Sequence, residues 1–135
     1  MPVTGIFEKF EAKERGWHLQ HVKLVVGGTG AVVSVTGKEF ADGAPEAALG
    51  GIVRTGTGVY EVTLPGRGGV QRLVAMPPQL ASATPADARL CLVSAVSLAD
   101  RSVDLTFTDT TPAAADPATG TVIELVFLVK NSSVS

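Results

Sequence analysis

The chain has 135 residues, enough for one domain that buries roughly two-thirds of the surface its unfolded form exposes. A formal charge of -2 argues against nucleic-acid binding by bulk electrostatics, and a single cysteine excludes an internal disulfide framework or a multi-cysteine metal site. No stretch reaches the roughly 18 apolar residues that a membrane-spanning helix needs.

The N-terminal stretch "IFEKFEAKER" (6–15) carries Ile6, Phe7 and Phe10 at helical spacing, and Glu11 and Arg15 form an i,i+4 pair. Thr4 is a candidate cap and Gly16 a stop. Ten residues are too few for a stable isolated helix in water. Residues 1–19 therefore read either as a short amphipathic helix docked by its Phe face or as an extended arm ordered against a neighbour. The segment lacks the apolar core of a secretory signal and carries glutamates, so synthesis in a cytoplasm is expected.

Residues 20–135 read as one β-domain. "HVKLVV" (21–26) alternates Val22, Leu24 and Val26 against His21, Lys23 and Val25, which is strand spacing. "GGTG" turns the chain into "AVVSVT" (31–36), giving a hairpin, and 37–49 is a loop with room for one helical turn. "GIVRT" (51–55), "GTG" and "VYEVTL" (59–64) read as strand, turn, strand, with Tyr60, Val62 and Leu64 on one face. "VQRLVAM" (70–76) ends at Pro77-Pro78, because proline cannot donate to a ladder. "ARLCLVSAV" (88–96) and "SVDLTFT" (102–108) flank a turn, and a loop at 109–120 leads to "TVIELVFLVKN" (121–131). About eight short strands with turn residues at every break predict an all-β fold, a single antiparallel β-sandwich or jelly roll.

Two compositional features point to association. Hydrophobic residues make up 45% of the chain while 18% are charged, below the usual quarter or so; either the core is generous or another chain covers some apolar surface, and the second is expected. The last strand is apolar on both faces, with Val122, Val126 and Leu128 opposite Ile123, Leu125, Phe127 and Val129. Such a strand is either central and buried or faces a partner subunit.

Catalytic motifs are not apparent. "GGTGAVVSVTGK" lacks the phosphate-loop spacing, with Glu39 where a Ser or Thr would reach magnesium, and no helix follows to meet an anion. His18 and His21, three apart, point to opposite faces of a strand and lack further zinc ligands. Cys91, within an apolar run, reads as a small buried hydrophobe. Asp87, Asp100, Asp104, Asp109, Asp116 and Glu124 are spread singly, and Asp100 and Asp109 sit where turns favour an Asx residue. A carboxylate pair meeting in space, beside a groove lined by Trp17 or Tyr60, would mark a carbohydrate-binding or hydrolytic sandwich. No enzyme activity, cofactor or metal is expected.

The order of segments carries a resemblance. "GIVRTGTGVYEVTL", the pair "LVSAVSLADRSVDLTF", an alanine- and proline-rich loop and the closing "IELVFLVKNSSVS" resemble small β-sandwich structural proteins of tailed-bacteriophage virions, over residues 50–135. Their single-domain members are capsid decoration (cement) proteins on the outer shell, commonly trimers that clamp neighbouring capsomers. The resemblance implies a virion location, the major capsid protein as partner, self-association as a trimer, and neither catalytic residues nor nucleic-acid or membrane partners. Within it, Ile6, Phe7, Phe10 and Trp17 are candidate shell contacts, and Val122, Val126 and Leu128 candidate subunit contacts. A tail component such as a fibre base, knob or adaptor is the alternative.

Overall fold

The computed structural model describes residues 17–81 and 84–131. Ile6, Phe7 and Phe10 lie outside the described residues, as does the choice between helix and arm. The fold is all-β, and the described residues form nine strands in two antiparallel sheets.

The first sheet holds β1 (Trp17–Val26), β2 (Val32–Gly37), β5 (Val70–Ala75), β6 (Gln79–Ala81) and β9 (Val122–Asn131). Its order is β2-β1-β9-β5, and β6 also pairs with β9. The second sheet holds β3 (Gly51–Gly56), β4 (Val59–Thr63), β7 (Leu90–Ser97) and β8 (Ser102–Thr108), in the order β3-β4-β8-β7.

Period-two alternation explains which residues fill the space between the sheets. Val22, Leu24 and Val26 of β1 point inward with Ile123, Leu125, Phe127 and Val129 of β9. They meet Ile52 of β3, Tyr60 and Val62 of β4, and Val103, Leu105 and Phe107 of β8 in one buried cluster. Tyr60 and Phe107 pack edge to face at its centre, ring centroids 5.6 Å apart and planes at 83°. The two-faced apolar β9 is thus a central strand, hydrogen-bonded to β1 on one side and to β5 and β6 on the other.

The strand count exceeds the eight expected, and proline explains the difference. β5 pairs with the last part of β9, Met76 donates its N–H to the Val126 carbonyl at 2.9 Å, and β6 resumes the ladder at Gln79 opposite Glu124. β5 and β6 are one strand interrupted where Pro77 and Pro78 have no N–H to give. The first strand also starts at Trp17, earlier than the 21–26 run, because His18 and Gln20 take inward register positions opposite Val129 and Phe127.

One flank is sealed by the 40–50 loop, which contains turns and a bridge and no helical turn. Asp42 Oδ1 accepts the Val35 N–H of β2 at 2.9 Å, and the Gly43 carbonyl accepts the Ile52 N–H of β3 at 2.7 Å. The loop therefore covers the outer edges of both sheets on that side.

Candidate functional site

Three features stand out on the frame: a polar fastening at one end, an apolar face on the first sheet, and an apolar edge on the second.

The fastening gathers loops far apart in sequence. Asp116, in the loop before β9, accepts two hydrogen bonds from Arg54 of β3: Nε to Oδ1 at 3.0 Å and Nη2 to Oδ2 at 2.8 Å. The Gly58 N–H adds a third to Oδ1 at 2.7 Å. Beside them the Tyr60 hydroxyl donates to the Gly30 carbonyl at 2.5 Å, and Arg89 Nε donates to the Asp116 carbonyl at 3.1 Å. The hydrogen bonds from Arg54 hold the Asp116 carboxyl below its usual range, against the opposing effect of burial, with the Gly58 N–H helping. Burial, then the nearby Asp116 charge, pushes the Tyr60 hydroxyl up to about 12, so it stays a donor. With its charge matched by Arg54 and its oxygens taken, Asp116 works as a clasp.

The glycines of "GTGTG" serve this clasp. Gly58 has φ +70°, and a Cβ there would lie 2.6 Å from the Phe107 carbonyl oxygen and 2.8 Å from the Ala115 nitrogen, both backbone atoms. Gly58→Ala is therefore expected to cost at least about 1–2 kcal/mol from the left-handed backbone alone. Chemical denaturation compared with Gly56→Ala, where a Cβ meets open space, checks it. Equal midpoints for the two variants would refute the account.

The remaining candidates separate. His18 and His21 fall on opposite faces of β1, as strand spacing requires; His18 sits opposite buried Val129, and His21 Nε2 meets Glu124 Oε2 at 2.6 Å on the outer face. A shallow groove of about 550 Å³ beside them is lined by His18, His21, Lys23, Lys38 and Glu39, among others. Asp109 forms the expected Asx turn, its Oδ1 accepting from the Thr111 N–H at 2.8 Å, and Asp100 pairs with Ser97 in the β7–β8 turn. Asp104 faces outward directly opposite Glu61. Asp87 ends a short 3-10 turn. Tyr60 is fully buried, so it cannot stack on a sugar, and Trp17 lies on the other sheet. Among the described residues no three metal-ligating side chains cluster, and no helix is long and apolar enough to cross a membrane.

Cys91 corrects an expectation: it is half-buried on the edge strand β7, packed against the core from its rim. Burial still raises its thiol to about 11, which leaves it protonated at neutral pH.

The apolar face is the solvent side of the five-stranded sheet. Leu19, Leu128 and Val74 form a row across β1, β9 and β5, with Val126 and Met76 in the next row. Leu19 is 60% exposed, Val74 47% and Met76 43%. Val122, Val126 and Leu128 are half-buried on this face, and Trp17 is half-buried at its end, opposite Lys130. The clasp was missed in sequence, since Arg54 and Asp116 are 62 positions apart and neither sits in a motif. Comparison with family models, curated proteins and solved structures finds no match to this chain.

Proposed function

We propose that the protein is a structural component of a tailed-phage virion, a capsid decoration protein that self-associates as a trimer and clamps neighbouring capsomers. The observation that carries this reading is the apolar outer face of the five-stranded sheet. Leu19, Val74 and Met76 stand exposed there around half-buried Val126 and Leu128, on a rigid β-scaffold. An apolar patch rimmed by Lys23, Glu124, Lys130 and Arg72 has the makeup of a subunit contact, apolar at the centre and charged at the rim. The resemblance of residues 50–135 to small virion β-sandwiches supplies the virion, and Trp17, where the N-terminal segment enters β1, is the shell-facing end.

The test is light scattering on the purified protein, followed by co-sedimentation with capsid shells that lack it. The expected result is a particle whose number of chains is a multiple of three, which pellets with shells and raises their melting temperature, because binding only the assembled state stabilises it. A protein that ignores shells and binds tails would be a tail component. Binding to neither would end the virion reading.

A further inference from the structure

Among the described residues, three of the four sheet edges are protected and one is bare. The 40–50 loop covers β2 and β3. β5 carries Arg72 and is broken from the three-residue β6 by two prolines. β7, "LCLVSAVS", runs eight residues without a charge or a proline, and among the described residues only β8 pairs with it. Natural edge strands are ordinarily shortened, charged or covered, since unpaired N–H and C=O groups recruit further strands.

Its side chains are bare as well. Leu90 is 73% exposed and Leu92 58% on the outer face, opposite Thr108 and Thr106. Val93 and Val96 take inward positions opposite buried Leu105 and Val103, yet remain 39% and 46% exposed, because the first sheet does not reach over them. Leu98, in the following turn, is 43% exposed. On ordinary side-chain areas these five fractions amount to on the order of 500 Å² of apolar surface per copy, as large as the largest patch a typical monomer carries. A partner strand laid along this edge covers part of that surface in addition to pairing the backbone groups.

We infer that β7 pairs antiparallel with β7 of a second copy, joining the two four-stranded sheets into one of eight strands. The contact goes beyond the proposed function: it lies on the other sheet from the apolar face and needs no shell. Its symmetry limits the register. A two-fold axis normal to the sheet keeps outer faces outer, so opposing residues share a face and the axis passes beside a residue, not between two. Centred on Cys91, it sets Leu90 of each copy against Leu92 of the other on the outer face, within the flat stretch Leu90–Val93. The bulge between Val93 and Ala95 follows that stretch, and Ser94 is turned back onto β8, where its hydroxyl donates to the Asp104 carbonyl at 3.2 Å and accepts from Thr106 at 2.9 Å. The free edge thus presents backbone and apolar side chains to an identical copy. A two-fold contact is self-complementary by construction, which an uncharged strand satisfies without repulsion.

The test is the mass of the full chain in solution against that of Leu90→Lys/Leu92→Lys. Both leucines point to solvent on the outer face, so the core is untouched and an unchanged melting curve serves as the folding control. The expected wild-type particle has an even number of chains, two if this contact acts alone and six if the trimer also forms, and the double variant halves it. A wild-type particle of one or three chains overturns the pairing, and so does an even one that the substitutions leave whole. A trimer that survives them would still support the sheet-face reading, so the two proposals fail separately. Should the variant not fold, hydrogen exchange on the wild type decides. β7 amides more protected in concentrated than in dilute solution support the pairing, and protection independent of concentration overturns it.

Discussion

Phe107→Ala is expected to destabilise the fold by about 3–5 kcal/mol, the range for deleting a fully buried aromatic side chain. Phe107 is 0% exposed and stands edge-on to Tyr60, itself 0% exposed, where β4 and β8 face β9. Removing the ring takes away its transfer free energy and the aromatic contact, and leaves a cavity. The neighbours cannot close that cavity, because β8 is held in register by β4 on one side and β7 on the other. The backbone at Phe107 is also committed: its N–H goes to the Gly58 carbonyl at 2.7 Å and its carbonyl accepts from Ala115 at 2.9 Å. A domain of ordinary stability has about 5–15 kcal/mol in all, so the loss would take from about a fifth of it to the whole. Urea denaturation should show a large fall in midpoint with little change in slope, and Phe107→Leu, which refills most of the volume, should recover more than half of the loss. A loss below about 1 kcal/mol for the alanine variant would mean that this ring is not at the centre of the core.

The same residues show what sequence could reveal. Phe107 belongs to an alternation of Val103, Leu105 and Phe107 against Asp104 and Thr106, and every strand with one wet face declares itself in this way. β1 and β4 were legible for the same reason. β7 was not. "LCLVSAVS" is apolar on both faces, as a strand buried between two layers would be, and hydropathy does not separate that strand from an uncovered edge. What separates them is cover from across the sandwich, and Val93 and Val96, at inward positions, remain 39% and 46% exposed. Cys91 was read as buried on the same logic and sits on the rim. Local polar chemistry was legible: Asp109 accepts from Thr111, two residues on, and an Asx turn needs no more than that. The Arg54–Asp116 clasp was hidden because its partners are brought together only by the closing of the β8–β9 loop onto the β3–β4 turn.

That clasp carries the second large effect. Asp116→Ala is expected to cost about 2–4 kcal/mol at pH 7, between the worth of an exposed ion pair and that of a buried one, since both partners are partly shielded. The substitution removes two charge-assisted hydrogen bonds from Arg54 and leaves the Gly58 N–H without its acceptor. It also frees the 109–120 loop from the β3–β4 turn, so limited proteolysis should cut there first. The effect must depend on pH with a definite sign. Hydrogen bonds from Arg54 lower the folded carboxyl below the unfolded value of about 4, so unfolding near that pH takes up a proton. The stabilisation is therefore fully present above about pH 4 and is lost as pH falls from there through the lowered folded value. Asp109 is lowered as well, chiefly by its hydrogen bonds to Thr111, and contributes to the acid loss in the same direction. Comparison of wild type with Asp116→Asn isolates the clasp, because the amide cannot ionise and Asp109 is common to both. Denaturation midpoints measured from neutral pH downward should lie well apart at pH 7 and converge below pH 4. A gap that stays constant over that range would mean that Asp116 holds the loop by shape and neutral hydrogen bonds, with no part played by its charge.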